Sequence, residues 1–326
     1  MIFDVIIITL SFALLICTQY FFFFMKIVIY STISILSIIV LAALGIHYIA
    51  PYAILKPPRI NEPKLAEHFQ QRLESLSIST ADDLQLSAYL TSSAKAPSIA
   101  YFILLHGIGG CKEHFLGLSN KLRKQGIASI VFDSRAHGQS EGQYCTYGAK
   151  EKEDISAIID LIKSRHPNAP IGIWGNSMGG AVAIQAMALD KRIDFGIIES
   201  TFTDLSQIVF DYQKRLFKIP SRKLSNYVLN RAGEIADFNP KFIQPIESVK
   251  NITQPILIAH GDADKNIPFA YGQALFAALS SEDKEFVRVP NGGHTGLFVT
   301  GGKKYENKLF SFIDRQLITA NHLLSK

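Results

Sequence analysis

Gly175-Asn176-Ser177-Met178-Gly179 has the spacing G-x-S-x-G between an apolar run, Ile171 to Trp174, and a small-residue run through Gly180, Ala181 and Ala183. A serine on a tight strand-to-helix turn is presented to substrate, provided that its neighbours two before and two after are small enough for helix and strand to pass closely. The helix start also aims unpaired amide N–H groups at the site. A serine hydroxyl is a weak nucleophile until a base takes its proton, and the base needs an acid to orient it. Nine histidines compete for that role. His294, in Asn291-Gly292-Gly293-His294, follows a strand and precedes a helix, where a loop can lay it over the serine. Asp264, in His260-Gly261-Asp262-Ala263-Asp264, ends another strand, and Asp262 is the rival acid two residues away. Such a set does acyl transfer. The glycine-rich stretch His106-Gly107-Ile108-Gly109-Gly110 follows the apolar run Ile99 to Leu105, so its amides can face a developing oxyanion together with the amide of Met178.

Other groupings read as structure. Asp133-Ser134-Arg135-Ala136-His137-Gly138-Gln139-Ser140 is expected to be a loop that holds its own shape by hydrogen bonds. His260 is expected to be strand-end structure. His260, Asp262 and Asp264 have no complementary His or Cys set at metal-ligand spacing, so no metal is expected. Cys111 and Cys145 lie in loops near the proposed site without a helical elbow, and a catalytic cysteine is not expected. The three cysteines form no disulfide framework.

The elements that must position these residues alternate. Leu73 to Ser79 and Leu84 to Leu90 read as an antiparallel start. Strands are then expected at Ile99–Leu105, Ile127–Phe132, Ile171–Trp174, Phe195–Ile198, Ile256–His260 and Phe286–Val289. Helices are expected at Glu113–Gln125, Lys150–Arg165, Ser177–Leu189, Ala270–Leu279 and Tyr305–Leu324. Strands apolar on both faces, alternating with helices, imply an α/β domain with a mostly parallel central sheet flanked by helices. Residues 201–254 break the alternation. With helical patterns at Asp211–Phe217 and Lys223–Arg231, they are expected to form a small helical cap over the carboxyl edge of the sheet.

The N-terminal region differs in kind. Val5 to Met25 and Ile27 to Leu55 hold no Asp, Glu, Lys or Arg, and Lys26 stands between them. About 20 apolar residues span a bilayer, so either run is long enough, and a single anchor beginning at Met25 is the simpler reading of a pair too closely joined to turn back on itself. Lys56, Arg59 and Lys64 beyond the second run lean the positive-inside balance towards a cytoplasmic domain, and a start at Met25 weakens that lean. The expected organisation is a membrane-anchor region at 1–56, a linker at 57–70 begun by Pro57-Pro58, and the α/β domain at 71–326. Net charge is +5, and removing Lys26, Lys56, Arg59 and Asp4 with the first 59 residues leaves +3, too little for a nucleic-acid footprint.

LLHGIGG (104–110), FDSRAHGQSEG (132–142), IWGNSMGG (173–180), ILIAHGDADKNIP (256–268) and NGGH (291–294) together resemble the α/β-hydrolase superfamily, in its serine-aminopeptidase-like and monoacylglycerol-lipase-like branch, and most of all its membrane-anchored, Bem46-type members. The likeness covers about residues 70–320. It implies Ser177 as nucleophile, Asp264 as acid and His294 as base, in that chain order, with the amides of Ile108 and Met178 as oxyanion donors. It implies no cofactor, and as partners a small-molecule or lipid-like acyl substrate and a lipid bilayer. One departure is Ala136, where relatives often carry glycine. The activity expected is hydrolysis of an ester, thioester or related acyl bond. A serine peptidase is the alternative, and a ligand-binding receptor on the same fold a more distant one.

Overall fold

The computed structural model describes residues 1–69, 72–94, 97–218 and 220–324, with side chains of the last helix through residue 319. It divides into two compact units, Met1–Pro51 and the remainder from Tyr52.

The first unit is a single helix, α1 (Ile2–Tyr48), 47 residues long with no buried residue. Lys26 does not break it, because neither Gly nor Pro accompanies the charge. At 1.5 Å per residue it extends for about 70 Å. By length and composition it is sufficient to cross a membrane. A short helix, α2 (Ala50–Leu55), leads into the second unit.

The second unit is built on eight strands: β1 (Leu73–Ser79), β2 (Gln85–Thr91), β3 (Ala100–Leu105), β4 (Ile127–Phe132), β5 (Ile171–Asn176), β6 (Phe195–Glu199), β7 (Ile256–Gly261) and β8 (Lys284–Val289). Their order across the sheet is β1-β2-β4-β3-β5-β6-β7-β8. β2 pairs antiparallel with β1 and β4, and every later pairing is parallel. Of the remaining helices, α3 (Pro63–Glu67), α4 (Leu116–Lys124), α5 (Glu151–Arg165), α6 (Met178–Leu189), α7 (Leu205–Phe217), α8 (Arg222–Ala236), α9 (Pro245–Ser248), α10 (Phe269–Ala278) and α11 (Leu297–Leu324), α5 and α6 pack on one face of the sheet and α4 and α11 on the other. β3 shows why its sequence is continuously apolar. Tyr101, Ile103 and Leu105 join the core under α5 and α6, while Ala100, Phe102 and Leu104 join the core under α4 and α11. Gly302 breaks α11 with a non-helical backbone.

Three expectations change. The stretch from residue 57 is not a free connector. Arg59 donates to the carbonyls of His137, Gly138, Ser140 and Gly142, and α3 follows, its Ala66 buried in the core. The folded unit begins earlier still: Leu55 is fully buried beside Ala232 and Ala236, and its carbonyl accepts from Cys145 N–H at 2.9 Å. A proline pair ends a helix but does not stop its flanks from packing. The cap is also smaller than 201–254. α7 and α8 form it, whereas Val249 and Ile252 are fully buried in the main core with Leu275 and Ala186. The expected helix at Glu113–Gln125 is a 3₁₀ turn, Lys112–Phe115, running into α4.

Candidate active site

In the order β4-β3-β5-β6, the chain leaves β3 towards one edge and β5 towards the other, so the crevice between their carboxyl ends is the natural ligand site. The loop after β3 and the turn after β5 meet there. A Cβ placed on Gly107 would stand 3.2 Å from the Ser177 Cβ.

Ser177 is the N-cap of α6, at φ 56° and ψ −119°. A non-glycine residue there is strained and must be held. Its N–H donates to Glu199 O at 2.9 Å, and the Thr201 hydroxyl donates to its carbonyl at 2.7 Å. The small flanks are obligatory: a Cβ on Gly175 would lie 2.2 Å from Gly179 O, and one on Gly179 would lie 2.4 Å from Leu105 O.

His294 Nε2 lies 2.9 Å from Ser177 Oγ, and its Nδ1 lies 2.8 Å from Asp264 Oδ2. With the carboxylate as acceptor, Nδ1 carries the proton and Nε2 is free to accept from the serine. The Asp264 side chain is fully buried. Oδ1 accepts from the amides of Asn266 (2.7 Å) and Ile267 (2.9 Å). Burial pushes its pKa up, but hydrogen bonds from His260, His294 and Ile267 outweigh that and hold the carboxyl well below the usual range. Asp262, the rival acid, points elsewhere: it accepts from Arg288 Nε and Asn291 N–H, both at 2.7 Å, and so braces the turn that carries His294.

Ile108 lines the same cavity as Ser177, and Met178 follows the serine in the chain. Met178 is the first residue of α6, where no intrahelical acceptor exists. The loop of Ile108 closes by Gly110 N–H to Gly107 O at 3.0 Å and is fixed by His106, whose Nδ1 donates to Gly107 O (2.7 Å) while Nε2 accepts from Ser134 N–H (3.0 Å). Burial, with His137 adjacent, pushes the His106 pKa down to about 3, so the ring stays neutral and keeps that tautomer. The Asp133–Gly142 loop holds its own shape as expected. Asp133 accepts from Lys112 Nζ (2.7 Å) and from Gln139 N–H (2.9 Å), and Ser140 Oγ donates to Asp133 O. Ala136 occupies φ 64°, the left-handed conformation that explains why glycine is usual at that position. Burial raises the Cys111 thiol to about 12 and the Cys145 thiol well above its ordinary value, so neither supplies a thiolate.

Two neighbours of the site go beyond the sequence reading: His260, expected only as strand-end structure, and Glu199, which that reading does not single out. His260 is more than strand-end structure: its Nε2 donates to Ile267 O (3.1 Å) and faces Asp264 Oδ2 at 3.4 Å. Glu199, at the end of β6, lines the cavity, with one oxygen accepting from Trp174 Nε1 at 3.1 Å and the other from Tyr305 Oη. Burial raises its pKa. A short His-to-Asp spacing and an acid closing an apolar strand were the available signals.

A cavity of about 700 Å³ opens on Ser177 and His294. Its walls include Ile108, Phe115, Leu118, Leu297 and Phe298, with Lys121 and His114 on one side and Tyr212 of the cap on another.

Residues 96–247 match the family described as serine aminopeptidase, S33. A solved esterase of Pyrococcus furiosus, Pf2001, superposes over 80% of this chain and 98% of its own with a TM-score of 0.67 at 23% identity. This chain has the α/β-hydrolase fold. Among sequences, this chain is similar to YqkD of Bacillus subtilis, an uncharacterized protein, at 23% identity over 80% of this chain and 86% of that one. It is also similar to the lysophosphatidylserine lipase ABHD12 of Macaca fascicularis, at 30% identity over 56% of this chain. It spans 46% of that lipase's length.

Proposed function

We propose that the protein is a membrane-anchored serine hydrolase that cleaves carboxylic ester or thioester bonds of small or lipid-like acyl substrates. The observation that carries the proposal is the hydrogen-bonded series Ser177 Oγ–His294 Nε2 (2.9 Å) and His294 Nδ1–Asp264 Oδ2 (2.8 Å) at the floor of an apolar-walled cavity. Ser177 attacks the carbonyl carbon as His294 Nε2 takes its proton, and Asp264 stabilises the resulting imidazolium. The carbonyl oxygen becomes an oxyanion between the amides of Ile108 and Met178. Collapse breaks the bond to the leaving alkoxide or thiolate, which takes the proton from His294. Water, deprotonated by the same imidazole, then releases the acid and restores the serine.

An ester or thioester is favoured over the free amino terminus of a peptide by charge. Recognition of an α-ammonium group needs an available carboxylate. Glu199 lines the cavity with both oxygens engaged by Trp174 and Tyr305, and the Lys121 ammonium at the wall is paired with Glu306, so among the described residues no carboxylate is left available in the lining. Anchoring rests on the length and composition of α1, and the resemblance to a lysophosphatidylserine lipase supports a lipid-like substrate.

Labelling with a fluorophosphonate probe tests the assignment. Wild-type protein is labelled on Ser177 and Ser177→Ala is not, with turnover lost by several orders of magnitude. Undiminished labelling of Ser177→Ala at another residue would overturn it.

A further inference from the structure

The cap carries a surface that the proposed chemistry does not use. From the end of α7 into the start of α8 the sequence includes Lys214, Arg215, Leu216, Phe217, Lys218, Arg222 and Lys223, with no acid between 212 and 233. All five cations are exposed, and so are Leu216 (65%) and Phe217 (68%). Arg215 donates to Lys265 O and Asn266 Oδ1, and Arg222 to Gln207 Oε1, all neutral acceptors. Among the described residues none of the five cations has an acidic partner.

Local contacts account for only part of this composition: the Arg215 and Arg222 guanidinium groups lie over the Tyr212 and Phe210 rings, 4.1 and 4.0 Å from the centroids. Cations at the carboxyl end of α7 suit the helix dipole, but Arg222 and Lys223 open α8, where positive charge opposes it. Two large apolar side chains exposed side by side gain nothing from water. Basic residues interleaved with an exposed leucine and phenylalanine are the composition of a segment that lies at an anionic lipid interface.

The place in the fold adds to the argument. Tyr212, one helical turn before Leu216, lines the cavity that holds Ser177, and Arg215 grips Asn266, which lines it too. The tip therefore stands at the cavity rim. We propose that the α7–α8 tip docks on the surface of a bilayer containing anionic phospholipid: Leu216 and Phe217 enter the headgroup–acyl boundary and the five cations meet the phosphates, bringing the rim to the lipid. Docking itself is independent of the role of Ser177; only its use in capturing a lipid-like ester rests on the proposed function.

The test uses the full chain in nanodiscs of phosphatidylcholine with brominated acyl chains, with or without phosphatidylglycerol. Trp174 is the one tryptophan and is fully buried, so the wild type sets a low baseline and Phe217→Trp reports on the tip. The expected result is quenching above that baseline in anionic discs, absent in neutral discs and abolished by 1 M salt, which shortens the screening length to about 3 Å. Lys214→Glu, Lys218→Glu and Lys223→Glu together should weaken docking on the order of a hundredfold at low salt. Leu216→Trp is a second reporter should Phe217→Trp perturb the cap. Quenching no greater than baseline with both reporters, or equal in neutral and anionic discs, overturns the proposal. So does a reporter shielded only as protein concentration rises in lipid-free detergent, which would indicate a second copy as the occupant. Ser177→Ala should leave the quenching unchanged, so docking and hydrolysis fail separately.

Discussion

Replacing Asp264 by asparagine tests the geometry with one atom. The Oδ1 position accepts from two amides, Asn266 at 2.7 Å and Ile267 at 2.9 Å. An asparagine carbonyl oxygen must keep that place, because an amide NH2 there would face two N–H donors and lose both bonds. The NH2 is then left at the Oδ2 position, 2.8 Å from His294 Nδ1. It can only donate, so Nδ1 must give up its proton and Nε2 must carry one. That nitrogen can no longer accept from Ser177 Oγ, 2.9 Å away. A wrong-tautomer histidine in this arrangement lowers kcat by about 10⁴, equivalent to about 5.5 kcal/mol of transition-state stabilisation. Asp262→Asn loses an exposed charge pair with Arg288 and can keep its bond from the Asn291 amide through the carboxamide oxygen, so its effect should stay within about tenfold. Steady-state hydrolysis of p-nitrophenyl acetate gives both numbers. An Asp264→Asn enzyme within tenfold of wild type, or an Asp262→Asn enzyme more impaired than Asp264→Asn, would refute the reasoning.

Further outcomes follow from the same contacts. Ser177→Gly should be inactive yet more stable by about 1 kcal/mol, since glycine tolerates φ 56°; a lower melting temperature would contradict the strain at the elbow. A chain starting at Tyr52 should fold and hydrolyse water-soluble esters, whereas one starting at Ile60, lacking buried Leu55 and the Arg59 bonds, should melt about 5–10 °C lower; equal melting temperatures would restore the linker reading. Stability to urea should fall on acidification. His106 binds its proton near pH 6.5 when unfolded but only near about 3 when folded, so its contribution is complete above the unfolded value and is lost as the pH falls towards the folded one. Between pH 7.5 and 5.5 that is about 1.4 kcal/mol, and His106→Gln should remove that share and leave the part due to His137, whose pKa burial also lowers.

The inner strands are readable because they are short runs buried on both faces, as in Ala100–Leu105 and Ile127–Phe132. β2 was misplaced by one residue, since the alternation of Leu84 to Leu90 does not mark which end is paired. The cap helices were read too short. α7 begins at Leu205, signalled by Asp204, whose side chain accepts from Gln207 N–H at 2.7 Å, and α8 begins after Ser221, which caps Leu224 N–H. Ser177, Asp264 and His294 were brought together by strand ends, which sequence order conveys well. The contact of His260 with Asp264, and the burial of Leu55, depend on partners that no local pattern names.

The docking of Leu55 against α8 sets an order for biosynthesis. Its neighbours Ala232 and Ala236 leave the ribosome about 180 residues later, a delay on the order of 10–40 s at ordinary elongation rates. Through that interval Leu55 lacks its α8 neighbours, and the first of its own domain to reach it is the segment carrying Cys145 and the acceptors of Arg59, about 90 residues after it. Closure of the domain around Leu55 therefore comes late, and a chain arrested before α8 would leave Leu55 without its Ala232 and Ala236 neighbours.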